Sequence, residues 1–210
     1  MSDQPVLRLF HCRPVRAAFD AILRDVMLPD LATLPGLLDA RVGRTGPGDL
    51  GDRLVATVWD SRAAMVDAMG DDVESSRFHP EYLHETTDRS LETLDLKVLL
   101  RFGGELPPTA TATVMRLARG SVRPGELASY VDEAREGARD DHARGGGPTA
   151  FYLGVGEPDC FTTLSIWDAW STIETATGAD VRRPVATQRG DQLSSFSVIH
   201  YEIVPGLVEA

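Results

Sequence analysis

The sequence predicts an α+β fold written twice in one chain, and three observations carry that prediction. A strand ending recurs: residues 52–61 read Asp-Arg-Leu-Val-Ala-Thr-Val-Trp-Asp-Ser, and residues 160–169 read Cys-Phe-Thr-Thr-Leu-Ser-Ile-Trp-Asp-Ala. Trp59 and Trp167 stand 108 positions apart (167 − 59), about half of the 210-residue chain. Solenoid repeats span only roughly 20–50 residues. The order of periodic segments repeats as well. Each half reads strand, helix, strand, strand, helix, strand, the split βαβ order of a ferredoxin-like unit. Finally, GGELPPTA at 103–110 has the paired glycines and prolines of a linker. The domains expected are 1–103 and 111–210, joined by 104–110.

In the first half, PVLRLFHCR (5–13) is a strand. Pro14 opens a helix from Val15 to about Asp30, with Ala18, Phe19, Ile22, Leu23, Val26 and Met27 at helical spacing. Pro29, Pro35 and Gly36 end it. Strands follow at 37–44 and 53–59, separated by the turn TGPGDLGD. Ser61 caps a short helix over 62–69, a second short helix lies around 80–90, and strand 93–102 alternates Leu94, Leu96, Val98 and Leu100. The second half begins with strand 111–120. A helix opened by Pro124 then runs to about Arg144 and is stopped by Gly145, Gly146 and Gly147. Strands 149–156 and 160–168, a helix over 169–178 and strand 194–204 complete it. The 108-residue offset sets Arg116 on Arg8 and Leu117 on Leu9.

Composition excludes several function classes. A formal net charge of −11 disfavours a nucleic-acid binder, which needs a basic face for phosphates. Cys12 and Cys160 lie at dissimilar places in the two halves and have no metal-ligand spacing, so both read as reduced thiols and no metal site is expected. MSDQPVLRLF lacks the pattern of a signal peptide, and no apolar run is long enough to span a bilayer. The expectation is a cytoplasmic protein with no membrane or nucleic-acid partner.

Strands closed by Trp-Asp-Ser and Trp-Asp-Ala, the helix after each, and a Gly-Leu or Gly-Pro leading into strand two resemble the antibiotic biosynthesis monooxygenase-like superfamily. The resemblance covers nearly the whole chain twice. It implies that two ferredoxin-like units pair their sheets into a dimeric α+β barrel with helices outside, here as a pseudo-dimer within one chain. Further homodimerisation is left open. Activities in the superfamily include cofactor-free quinone-forming monooxygenation, heme degradation, polyketide cyclisation and chlorite-dismutase-like heme chemistry. The heme-degrading motif places a Trp on the helix after strand three and a His about ten residues later. Here the Trp position falls near Ala68, His79 lies near the expected His, and the second half has no His in the corresponding segment.

Strand alternation then sorts the candidate residues. Leu54, Ala56 and Val58 are assigned to the helices, and Val55, Thr57 and Trp59 to the barrel interior. Thr163, Ser165 and Trp167 follow in the second half. Arg8, Arg116, Asp95, Lys97, His200 and Glu202 join the interior set. On this reading Arg116 or Arg8 anchors an anionic or enolate oxygen, and His200 shuttles a proton. Trp59 and Trp167 wall a planar substrate, while Thr57, Ser165, Lys97 and Glu202 line the pocket. The function expected is binding of a small aromatic or polyketide-like compound, extending to cofactor-free monooxygenation. Plain structural roles stand beside each assignment: tryptophans as packing plugs, arginines paired with Asp95 or Glu202, His200 as a satisfied strand histidine. Two other functions compete: a non-catalytic ligand-binding or stress-related domain, and a chlorite-dismutase-like heme protein whose proximal ligand would be His142 or His200.

Overall fold

The computed structural model describes residues 4–14, 18–45, 51–69, 92–103, 113–143, 146–178, 180–184 and 192–203. The helix expected around 80–90, His79, His84 and the linker at 104–110 lie outside these residues. The described chain is α+β with eight antiparallel strands, as the sequence predicts. It divides into two compact units. The first holds the described residues up to Lys97 together with Tyr201–Ile203. The second holds Val98–Gly103 and the described residues from 113 to His200. No described helix is long and apolar enough to cross a membrane.

In the first unit, β1 (Val6–Cys12) runs antiparallel between β3 (Arg53–Trp59) and β4 (Glu92–Gly103). Its register sets Arg8 opposite Thr57 on one side and Asp95 on the other. Beyond β3 lies β2 (Leu37–Arg44), whose Gly43 and Arg44 pair with Ile203 and Glu202 of β8 (Leu193–Ile203). Gly36 enters β2 at a φ of 82°, where a Cβ would come within 2.5 Å of the Ala64 Cβ. Only glycine suits both demands. Helix α3 (Arg62–Met69) starts as expected, with the Ala64 amide donating to Ser61 Oγ at 3.0 Å.

The first helix differs from the continuous one expected. It consists of α1 (Ala18–Ile22), a π-helical turn (Leu23–Met27) and α2 (Leu28–Ala32). Pro29 has no N–H to give to the preceding turn, and a wider turn is a known way to accommodate such a break.

In the second unit, β5 (Val114–Val122) pairs antiparallel with β7 (Cys160–Trp167), and β7 with β6 (Ala150–Val155). β8 borders β5, and the Val98–Gly103 part of β4 borders β6. Helix α4 (Leu127–Ala143) starts three residues after Pro124, because Gly125 takes a φ of 83° that no α-helix contains. Helix α5 (Trp170–Thr177) follows β7 and ends at Gly178, whose φ of 74° makes a left-handed cap.

The side of each sheet that meets its helices is the reverse of the one expected. Phe10, Cys12, Val42 and Val55 pack on Phe19 and Leu23, while Val6 and Trp59 pack on Met65 of α3. Arg8 and Thr57 share this side by alternation. In the second unit Tyr130, Val131 and Ala134 of α4 meet Val122, Leu153 and Phe161, and Trp167 meets Ile173 of α5. Leu54, Ala56 and Val58 point the other way and are equally buried, at 0%, 2% and 1% exposure. With both faces covered, β3 has no polar side to reveal its orientation. The same packing buries the Cys12 thiol and pushes its pKa up to about 12, which leaves it inert as a nucleophile.

Candidate functional sites in the two units

Each unit has a cleft between its sheet and its helices, built on residues that stand 108 positions apart in the sequence. In the first unit Arg8, Thr57, Trp59, Phe10, Val55 and Met69 help to line a cleft whose empty space, open solvent included, is about 380 Å³. In the second the corresponding space, again with open solvent, is about 450 Å³, and Arg116, Ser165, Trp167, Phe102, Phe151 and Asp141 are among its lining residues. Six of the expected site residues are thus brought together as two sets of three. They lie beneath the helices, however, and not on the opposite face where the sequence reading put them.

One local device fixes both tryptophans. Residues i and i−2 of a strand share a face, so the Trp59 indole N–H donates to Thr57 Oγ1 at 3.0 Å and Trp167 to Ser165 Oγ at 2.8 Å. Each ring is held by packing and by this bond, with exposures of 0% and 1%. The tryptophans therefore serve both as packing plugs and as cleft wall.

The arginines differ. Arg8 makes a bidentate pair with Asp95, Nε to Oδ1 at 2.7 Å and Nη2 to Oδ2 at 3.1 Å. This is the ion pair the sequence allowed, and it neutralises the first cleft's cation. Arg116 is 3% exposed, donates to the Arg183 carbonyl, and has its guanidinium carbon 5.8 Å from the centre of the Phe196 ring. Among the described residues no carboxylate forms an ion pair with it. Its Nε is buried without a hydrogen-bond partner. Burial draws its pKa down to about 10, so it is still charged at neutral pH. Tyr130 of α4 lies close enough to feel that charge, although burial dominates and raises the phenol's pKa.

His200 stands beside Arg116 and Trp170, its ring centre 5.0 Å from that of Trp170. Burial, then the charges of Arg116 and Arg182, push its pKa down to about 4, so it is neutral at pH 7. Its Nε2 is buried with no hydrogen-bond partner. It is not among the residues lining the cleft.

Lys97 and Glu202 must be corrected. Both are exposed and line neither cleft; Glu202 sits 3.8 Å from Arg44. Alternation put them on one face with the arginines, but their positions near the ends of the pairing leave them in solvent. His11 is held in the first unit by Tyr201, with Nε2 and the phenol oxygen 2.6 Å apart. The sequence reading missed the stacked pair Phe102 and Phe151, whose ring centres are 5.4 Å apart, and Trp170. Only their aromatic character could have flagged them.

No family model matches the chain, and no curated protein does. Solved structures do. A Fusobacterium nucleatum protein provisionally called a monooxygenase is 9% identical, with 97% of this chain and 94% of that one covered at a TM-score of 0.74. A ferredoxin-fold protein from Listeria monocytogenes related to antibiotic biosynthesis monooxygenases is 12% identical, with 96% of each chain covered at 0.55. A heme-binding protein from Thermus thermophilus is 9% identical, with 99% and 94% covered at 0.52. At these identities the likeness is one of fold, and the fold is that of the monooxygenase-like, ferredoxin-fold proteins. No histidine lines either described cleft, so neither presents there the proximal histidine that the heme alternative calls for, and the side chain of His142 lies outside the described residues.

Proposed function

We propose that the protein binds a small planar aromatic compound bearing an ionised oxygen, held in the cleft of the second unit. One observation carries this reading: Arg116 is a buried cation with no carboxylate partner among the described residues, at the wall of a cleft lined by Phe102, Phe151 and Trp167. A buried charge is costly until something neutralises it, and an anionic ligand would do so. The aromatic walls would stack on a planar ring system. The first cleft has the same tryptophan and a larger share of apolar lining, but its arginine is already paired with Asp95.

Titration with 2-naphthoate, followed by tryptophan fluorescence and calorimetry, tests the reading. Arg116→Met is expected to weaken binding about tenfold to hundredfold, the range for losing a charge-assisted hydrogen bond. Arg8→Met should leave it nearly unchanged. Equal affinity in wild type and Arg116→Met would remove the basis for the proposal.

A second reading, cofactor-free monooxygenation, is favoured by the neutral His200 beside Arg116. A hydroxyaromatic or enol would lose a proton through a bridging water to the neutral His200 imidazole, its anion would rest on Arg116, and the electron-rich ring would reduce dioxygen. One oxygen atom would enter the product and the other would leave as water. Oxygen uptake with 9-anthrone should then require both Arg116 and His200. Binding without any oxygen uptake leaves ligand binding as the function.

A further inference from the structure

We propose that His200 is the residue that makes the second cleft selective for anions, because it occupies the place that a carboxylate fills in the first unit. The inference rests on the binding reading above and names what sets its charge preference. In the first unit, strand register puts Asp95 opposite Arg8, and the two form the bidentate pair. In the second unit, Ser197 Oγ donates to the Arg119 carbonyl at 3.4 Å, and Ser121 Oγ and Ser195 Oγ are 2.7 Å apart. These bonds set β8 against β5 with 197 beside 119. Three residues further along the antiparallel pair, 200 comes beside 116. The influence of Arg116 on His200 agrees with that placement.

The substitution changes the electrostatics of an otherwise similar scaffold. A carboxylate beside a buried guanidinium neutralises it; a neutral imidazole cannot. Among the groups near Arg116, the Tyr130 phenol, the Arg183 carbonyl, the Phe196 ring and, near His200, Arg182 are also without negative charge at pH 7. Asp141 lines the same cleft from α4 but makes no ion pair with Arg116. In binding, His200 is thus a positioning residue: it does not line the cleft and acts by leaving the arginine's charge available.

The test compares two probes of nearly equal shape, anionic 2-naphthoate and neutral 2-acetylnaphthalene, on the full chain. His200→Asp is expected to lower naphthoate affinity about tenfold or more while changing ketone affinity by no more than roughly twofold. His200→Asn should keep the wild-type preference. An unchanged preference in His200→Asp overturns the proposal, as does an equal loss in His200→Asn, which would make the role one of shape. Asp95→His serves if His200→Asp does not fold. It should add a second naphthoate site, and an unchanged stoichiometry counts against the assignment.

A ligand-free arm separates this inference from the reading it rests on. In a thermal-melting cycle, His200→Asp should raise the midpoint when Arg116 is present and lower it in an Arg116→Met background. No coupling overturns the assignment whatever binds. Coupling in a protein that binds neither probe supports the assignment and discards the anion-binding function instead.

Discussion

Asp20→Ala lowers folding stability by about 3–5 kcal/mol, the range for removing one partner of a buried ion pair. Arg53 has 0% exposure and reaches from β3 to α1, where Nε and Nη2 each donate to an Asp20 carboxylate oxygen at 2.8 Å. Its remaining Nη1 donates to the Gly51 carbonyl. Truncating Asp20 leaves the guanidinium enclosed by protein with its carboxylate gone. The sign of the partner experiment differs. Arg53→Met in the Asp20→Ala background should recover much of the loss, since an apolar side chain can occupy the same space without a charge to solvate. Urea unfolding of the four proteins gives the coupling, and additive losses would show that the pair is not what holds α1 to the sheet.

Trp167→Ala should also cost about 3–5 kcal/mol, through lost burial and the cavity left behind. The indole is 1% exposed and packs on Val114 and Ile173, and its removal strips the Ser165 hydroxyl of its donor. Trp167→Phe keeps most of the apolar contact and removes the N–H with part of the ring volume, so its cost should be smaller, about 1–2 kcal/mol. The same alanine substitution removes a wall of the second cleft, and naphthoate binding should weaken with it. If Trp167→Ala melts like wild type, the ring is not the plug that its burial implies.

The sequence revealed the elements well and their orientation poorly. Strands 37–44 and 53–59 and the helix over 62–69 agree with the observed spans, because β-branched runs, turn residues and a serine cap mark them locally. The reversed faces have a physical cause. Leu54, Val55, Ala56 and Val58 are all buried, so hydrophobicity does not distinguish the two sides of β3. Choosing the more apolar set as helix-facing assumed that the helices cover the driest surface. They cover a cleft instead, and a cleft tolerates Thr57 and Arg8. The threefold grouping of arginine, hydroxyl and tryptophan survived the inversion, because residues on one face remain together whichever way that face points. The contrast between Arg8 and Arg116 was not readable from either residue. It depends on cross-strand neighbours, Asp95 in one unit and His200 in the other, whose alignment needs the register.

Tyr201–Ile203 gives the first unit its last piece of strand, pairing with Gly43 and Arg44 and holding His11 through the Tyr201 phenol. During synthesis the remainder of that unit leaves the ribosome about a hundred residues earlier, a delay on the order of 5–20 s at common elongation rates. For that interval the edge of β2 has exposed N–H and C=O groups and His11 lacks its phenol. The first half of the gene is therefore translated first but cannot complete its fold until β8 has been made, and a nascent chain stalled before codon 201 should remain more open to proteolysis around β2 than the released protein.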